Sequence, residues 1–252
     1  MAFVAWRSHG VTRGGAFAAW PVGTAILAGT GWAGGAVLLV FFVGSTAVGR
    51  WAEPRTRAVH PQLAFDPKGD TRDPWQVLAN GGVAAAAALL ELRAPSQGLW
   101  LVTISLAAAA ADTWATAIGC TSRTLPRSMV TGETVPAGTN GGITVRGSLG
   151  AAAGAASVAA TGAMASGDLR LLLAGVLLGF SGMLADSLLG AALQGRFRCP
   201  ACGLESERRV HRCGTPTVPI GGVRWLTNDG VNLLATSLTA FGGWGIWHWL
   251  SP

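Results

Sequence analysis

Residues 97–119 read QGLWLVTISLAAAAADTWATAIG. At 1.5 Å rise per residue this run makes about 35 Å of helix, enough to cross a hydrocarbon core about 30 Å thick. It carries a single charge, Asp112, so the stretch reads as a membrane span with one carboxylate inside it. Its middle is a run of five alanines, 107–111. Small residues let helices approach closely in lipid, so this span reads as part of a tight bundle.

Six further apolar runs surround it: Ala16–Gly29, Trp32–Gly49, Gln76–Leu92, Ile143–Ala165, Leu169–Gly195 and Val231–Leu250. The first is short, so it and the second read either as two spans or as a re-entrant pair. The stretch before it carries Arg7, His9 and Arg13 without a clear cleavage site, and reads as an anchor rather than a signal peptide. The expected fold class is an all-α, polytopic membrane helix bundle of about seven transmembrane helices, forming one transmembrane domain over residues 1–252.

Composition agrees. Of 252 residues only 30 are charged, 18 basic and 12 acidic, while half are hydrophobic and 37 are Gly. At 12% charged, the chain has about half the charge of a soluble domain. That excludes a disordered chain and argues against a soluble enzyme, whose surface needs about 25–35% charged residues. The net charge of +6 is unevenly spread. Sixteen of the 18 basic residues fall on one side of the spans, and only Arg93 and Arg170 on the other. The positive-inside rule puts the N-terminus and the long loops in the cytoplasm and the C-terminus outside, in the cell inner membrane. Tryptophans at both sets of span ends, Trp51, Trp75 and Trp225 against Trp100, Trp244, Trp247 and Trp249, fit interfacial belts.

Ionisable groups inside spans are costly and mark function. Asp112 and Asp186 each stand roughly 7–9 residues from the cytoplasmic end of their spans, about 11–14 Å deep. Asp112 and Thr116 share a helical face, as do Asp186, Gly190 and Gln194. A structural hydrogen bond to a neighbouring helix is the plainer reading. The functional one is a carboxylate pair that holds Mg²⁺ against phosphate oxygens. Asn80 and Asn228 sit in similar segments, LANGGV at 78–83 and LTNDGV at 226–231. With the likeness of the two Asp segments, this suggests an internal duplication. Asn228 or Asp229 could equally cap the last helix, and Asn232, one turn further in, needs a polar partner.

The loop after Gly119 carries Arg123, Arg127 and Arg146, together with the turn Gly138-Thr139-Asn140-Gly141-Gly142. Glycines let backbone N–H groups converge on an anion, and the three Arg can bind phosphate bidentately. A plain loop-closing turn is the alternative. Glu133 is a third candidate metal ligand; either it or Asp229 could complete the shell. A second loop, 196–225, holds Cys199, Cys202, His211 and Cys213 with the spacing Cys-x2-Cys-x8-His-x-Cys. Four such ligands within 15 residues fit a tetrahedral, structural Zn²⁺ in a reducing compartment.

Five stretches carry a resemblance: QVLANGG at 76–82, ADTWATAIG at 111–119, VPAGTNGGI at 135–143, Asp186-Ser187 with Gly190, and Asn228-Asp229 with Asn232. At these motifs the chain resembles the integral-membrane family catalogued as domain of unknown function ninety-two. That family includes the plant phytyl-phosphate kinase. The pattern at 112–115 is similar, more distantly, to phytol kinase, dolichol kinase and the CTP-using cytidylyltransferases. The resemblance implies a membrane kinase that transfers a phosphoryl group from a nucleoside triphosphate, with CTP the expected one, to an isoprenoid monophosphate with Mg²⁺. Catalytic roles then fall to Asp112, Asp186, Thr116, Glu133, Asn228 and Asp229. Substrate and nucleotide contacts fall to Asn80, Arg123, Arg127, the 138–142 turn, Arg146, Ser187 and Asn232. The expected partners are a membrane lipid and a nucleotide, with no nucleic acid; the oligomeric state stays open. The alternatives are a transporter of a phosphorylated lipid or anion, and a CTP-dependent cytidylyltransferase. The polar groups all lie in the cytoplasmic half of the spans, which favours an enzyme over a transporter.

Overall fold

The computed structural model describes residues 6–7, 9–63, 71–93, 95, 97–203, 205–207, 209–211 and 213–250. Three of the basic residues counted above, Lys68, Arg208 and Arg212, lie outside the described residues. Among the described residues six α-helices run in chain order: α1 (Arg13–Val59), α2 (Pro74–Leu90), α3 (Gln97–Gly119), α4 (Val145–Ser166), α5 (Leu169–Leu193) and α6 (Asn228–Leu250). Helix α3 has the bounds read from its apolar run.

Helix α1 is two arms, 13–30 and 32–59, broken at Gly31, where φ is 61° and ψ −151°. Only glycine takes up that conformation readily. The arms fold back on one another: a Cβ placed on Gly23 would meet Leu38 Cδ2 at 3.8 Å, and one on Gly35 would meet Leu27 Cδ2 at 2.6 Å. In an unbroken helix residues 23 and 38 would stand about 22 Å apart. The first two apolar runs are therefore an antiparallel hairpin with a one-residue turn.

Helices α1, α3, α4 and α5 are long and apolar enough to cross a membrane. By that measure the count of about seven spans is reached only in part. Helix α2 is short, at 17 residues, and α6 is diluted by Asn228, Asp229, Asn232, Thr236, Ser237 and Thr239. The bundle is also not purely α-helical. Strands β1 (Arg127–Ser128) and β2 (Gly142–Ile143) pair in one loop, and β3 (Arg196–Arg198) pairs with β4 (Glu205–Ser206) and β5 (Val218–Gly221) in another. Asp112 and Asp186 each stand seven residues before the end of their helix; that spacing does not by itself make the expected internal duplication.

Helix α3 is the centre and packs against all five others. Its run Ala107–Ala111 is buried on every side. Small residues make this possible. On α4, Gly147, Gly150 and Gly154 lie against α3 so closely that an added Cβ would come within 2.8–3.0 Å of the carbonyl oxygens of Ala115, Trp114 and Ala110. The outside is the reverse. Leu169, Leu173 and Leu177 form an exposed stripe along α5, at 75%, 67% and 67%, the spacing of a single helix face. Large apolar residues outside and alanine or glycine inside is the pattern a lipid solvent selects.

At one end of the bundle the chain turns through short connections at Gly31, 91–96 and 167–168. There Trp100 is buried rather than interfacial: its Nε1 donates to Gly243 O at 3.0 Å, and its ring meets Trp247 edge-on at 5.4 Å. Arg170 stands at this end, its Nη1 3.5 Å from Leu250 O. The long, Arg-bearing loops gather at the opposite end, where the cavity lies.

Candidate functional site

A cavity of about 490 Å³ opens among the loop-side ends of the helices. Each wall is placed by its own element. Helix α3 brings Asp112 and, one turn on, Thr116; α5 brings Asp186, Ser187 and Gln194; α2 brings Asn80; α6 brings Asn228 and Asn232. Helix α2 is fixed at its start by a capping box: Asp73 Oδ1 accepts from Gln76 N, and Gln76 Oε1 from Asp73 N, both at 3.0 Å. One turn later Asn80 Nδ2 donates to Gln76 O at 3.0 Å. Asn80 is buried at the cavity edge, and that bond uses one of the two N–H donors of its amide.

The carboxyl groups of Asp112 and Asp186 are within hydrogen-bonding reach of each other. Two carboxylates this close repel, and a divalent cation between them removes the repulsion. Five buried side-chain polar atoms lack a hydrogen-bond partner among the described residues: Ser45 Oγ, Ser105 Oγ, Asp186 Oδ2, Gln194 Nε2 and Asn232 Oδ1. All but Ser105 belong to residues that line this cavity. Buried polar groups are almost always paired, so a cluster of unpaired ones around one cavity is a place where a ligand, an ion or ordered water can supply the partners. The donor set of Asp112, Asp186 and Asn232 is all oxygen, which suits Mg²⁺ rather than a soft metal.

The turn at 138–142 forms the roof. Gly141 has φ +70°, and a Cβ there would lie 2.6 Å from Ser187 O and overlap Ala191. The loop thus rests directly on α5, one turn past Asp186, and places Asn140 over Gly190. It leads into β2, and α4 starts only after Thr144, whose hydroxyl accepts from Gly147 N at 3.0 Å.

The cavity therefore gathers Asn80, Asp112, Thr116, Gly138, Thr139, Asn140, Gly141, Gly142, Asp186, Ser187, Asn228 and Asn232. Arg123, Arg127 and Arg146 lie elsewhere. They line a neighbouring recess of about 780 Å³ with Arg55, and Thr124, Ile143 and Thr144 form the wall common to both spaces. Arg146 Nη1 donates to Thr121 O at 3.3 Å, and Arg127 Nη1 to Gly132 O at 3.1 Å. Glu133 is exposed on the loop after β1, and Asp229 sits in the first turn of α6, where a carboxylate favours the helix dipole. Neither lines the cavity.

Arg72, His60 and Glu207, to which the sequence reading gave no part in the site, line it as well. Arg72 Nη1 is 3.4 Å from Thr46 Oγ1, and its guanidinium lies 5.5 and 5.4 Å from the Phe41 and Phe42 ring centres. Its backbone is pinned to the chain start, Thr12 N donating to Arg72 O at 2.9 Å. Its position just before the capping box was the signal available for it. His60 is buried, its Nε2 2.8 Å from Ser122 O. Nothing in its local sequence foretells that.

The ligand atoms of Cys199, Cys202, His211 and Cys213 all lie within 4.8 Å of one another, and none of these residues lines the cavity. Contacts with Thr215 and then His211 hold the Cys213 thiol down to about 5, while hydrogen bonding with Cys213 pushes Cys202 up to about 11.

A family model described as integral membrane protein DUF92 matches residues 1–240. Protein PGR of Arabidopsis thaliana is 30% identical over 234 residues, covering 82% of this chain and 79% of the relative. An uncharacterized membrane protein of Methanocaldococcus jannaschii is 37% identical over 118 residues, covering 47% of this chain and 50% of the relative. No solved structure matches.

Proposed function

The chain belongs to the integral membrane family DUF92, and we propose that it is a membrane phosphotransferase. It passes the terminal phosphoryl group of a nucleoside triphosphate, CTP by the resemblance, to an isoprenoid monophosphate. The observation that carries the proposal is the Asp112–Asp186 pair, set among unpartnered polar atoms beneath the 138–142 turn. A bridged polyphosphate offers that set of groups what it lacks: a cation for the oxygens and anionic acceptors for the N–H donors.

The acceptor's prenyl chain lies between helices, and its head group enters the cavity. Asp112, Asp186 and Asn232 would hold Mg²⁺, whose charge offsets that of the phosphate oxygens. Arg72 and the Gln194 amide supply positive charge and hydrogen bonds from the protein. Backbone N–H groups of the 138–142 turn orient the phosphates. An oxygen of the lipid monophosphate attacks the γ-phosphorus; the new P–O bond forms as the bond to the β,γ-bridging oxygen breaks, leaving a lipid diphosphate and a nucleoside diphosphate. The nucleophile is already ionised, so no residue need act as a strong base. Positioning and charge neutralisation carry the reaction. Arg123, Arg127 and Arg146 act from the neighbouring recess, on the far side of Thr124 and Thr144, as the site for the distal part of the nucleotide.

The test is the purified chain with CTP and geranylgeranyl or phytyl monophosphate. Label from the γ-phosphate recovered in a lipid diphosphate supports the proposal. Label from the α-phosphate in the lipid would mean a cytidylyltransferase. Counterflow of the lipid phosphate without turnover would mean a transporter.

A further inference from the structure

We propose that Cys199, Cys202, His211 and Cys213 bind one Zn²⁺, and that this ion holds segment 196–225 in place as a wall of the cavity. The inference does not depend on which reaction the cavity performs.

The four ligands come from two turns that each end in a glycine. Gly203 N donates to Cys199 O at 2.8 Å, closing Cys199–Cys202 with Gly203 at φ +70°; Gly214 N donates to His211 O at 2.9 Å, closing His211–Cys213 with Gly214 at φ +83°. Each turn presents two ligands and ends in a left-handed glycine, and the two turns face one another. Cys199 Sγ lies 3.5 Å from Cys213 Sγ, and His211 Nδ1 3.1 Å from the same sulfur. Around a tetrahedral zinc with Zn–S of about 2.3 Å, ligand sulfurs stand about 3.8 Å apart. The spacing found is that of ligands ready to close on an ion, and well beyond a disulfide bond of about 2.05 Å.

The segment also needs such an ion. Between residues 196 and 225 only Phe197 and Cys199 are buried apolar residues among those described. The sheet of β3, β4 and β5 has strands of two to four residues. So small a unit has too little core to hold its own shape, and a metal commonly supplies the missing energy.

Its position gives the ion a consequence. The segment is tied to the end of α5 and the start of α6: Val223 N donates to Leu193 O at 2.8 Å and Gly195 N to Leu226 O at 3.0 Å. Strand β4 is followed directly by Glu207, which lines the cavity and is near enough to Asp186 for their charges to interact. Ordering the two zinc turns orders β4, which lies between them, and β3, which leads into the first, and with β4 the carboxylate of Glu207 that follows it. Losing the ion frees Glu207 from the wall while leaving Asp112 and Asp186 on their helices.

The full chain, purified under reducing conditions, is expected to carry one zinc per chain by elemental analysis. Cys199→Ser/Cys202→Ser is expected to lose it, and His211→Cys to retain it, since four thiolates also form a zinc set. Cobalt added to the metal-free protein should give a thiolate-to-metal absorption band that the double variant lacks. Stripping zinc from the unmutated protein with a chelator should speed amide exchange in 196–225 by about tenfold or more, leaving α3 and α5 unchanged. This arm holds even if the double variant fails to fold. Zinc-free protein with no cobalt band, zinc retained in full by the double variant, or a Cys199–Cys213 disulfide in the reduced preparation would overturn the site. Unchanged exchange in 196–225 after zinc removal would overturn its structural role.

Discussion

Asp112 and Asp186 carry the heaviest prediction at the scale of single residues. Asn is isosteric but carries no negative charge to offset a cation, so Asp112→Asn and Asp186→Asn should each lower kcat about 100-fold or more, in line with losses of a charge-stabilising group. Size-exclusion profile and Tm in detergent should stay near those of the unmutated protein; near-normal turnover would refute the metal role. Gly141 tests the roof. Alanine there must adopt a left-handed conformation and overlap Ser187 O and Ala191, a strain of about 1–3 kcal/mol. Gly141→Ala should therefore reduce kcat/KM while Gly132→Ala, where an added Cβ meets nothing within 4 Å, reduces it less. Both Asp were legible in the sequence because a charge in an apolar run stands out. Arg72 and His60 were not, since one is a basic residue near a helix start and the other a lone histidine. Only their distant partners, Thr46 and Ser122, reveal where they point.

At the scale of elements, helix ends and helix contacts make separable predictions. Thr144 caps α4 through Gly147 N, so Thr144→Ala should cost about 1 kcal/mol, seen as a lower Tm. Asp168 caps α5 by accepting from Arg170 N at 2.9 Å. The hydrogen bond from the Arg170 side chain, foremost, holds its carboxyl below the ordinary 3.8. Its contribution is thus present above pH of about 4 and lost as pH falls through the lowered value. The Tm gap between the unmutated chain and Asp168→Ala should close on acidification below that pH; a gap independent of pH would exclude the ion pair as its cause. Gly154 allows α3 and α4 to touch, and Gly154→Leu should block assembly of the bundle. The apolar runs located α3 to within a residue, since a span's length is set by the membrane. The fold-back at Gly31 was less clear, because two short apolar runs, Ala16–Gly29 and Trp32–Gly49, fit two spans or a re-entrant pair until contacts across the break are known.

At the scale of the whole molecule, the distribution of charge predicts orientation. A fluorescent protein fused after Pro252 should stay dark and a secreted phosphatase fused there should be active, with the reverse result overturning the assignment. The two spaces at the loop-side end are also a whole-molecule property. If the Arg recess serves the nucleotide and the cavity the transferring phosphates, Arg146→Ala should raise KM for the nucleotide with little change in kcat, whereas Arg72→Ala should lower kcat as well.

The sequence by itself determined that this chain is a membrane helix bundle, which of its ends carries the basic loops, and which carboxylates lie within the spans. Those follow from local facts: hydropathy over about 20 residues, the count of Arg per loop, and a charge's position in an apolar run. Only the tertiary structure decided that the two carboxylates meet, that Asn232 and Gln194 line the same cavity with a buried unpartnered atom each, and that Arg72 lines it too while the Arg123–Arg146 set stands in the next recess. Those depend on how helices rotate and cross. That is fixed by which glycines and alanines meet across α3, α4 and α5, and no single segment contains that information.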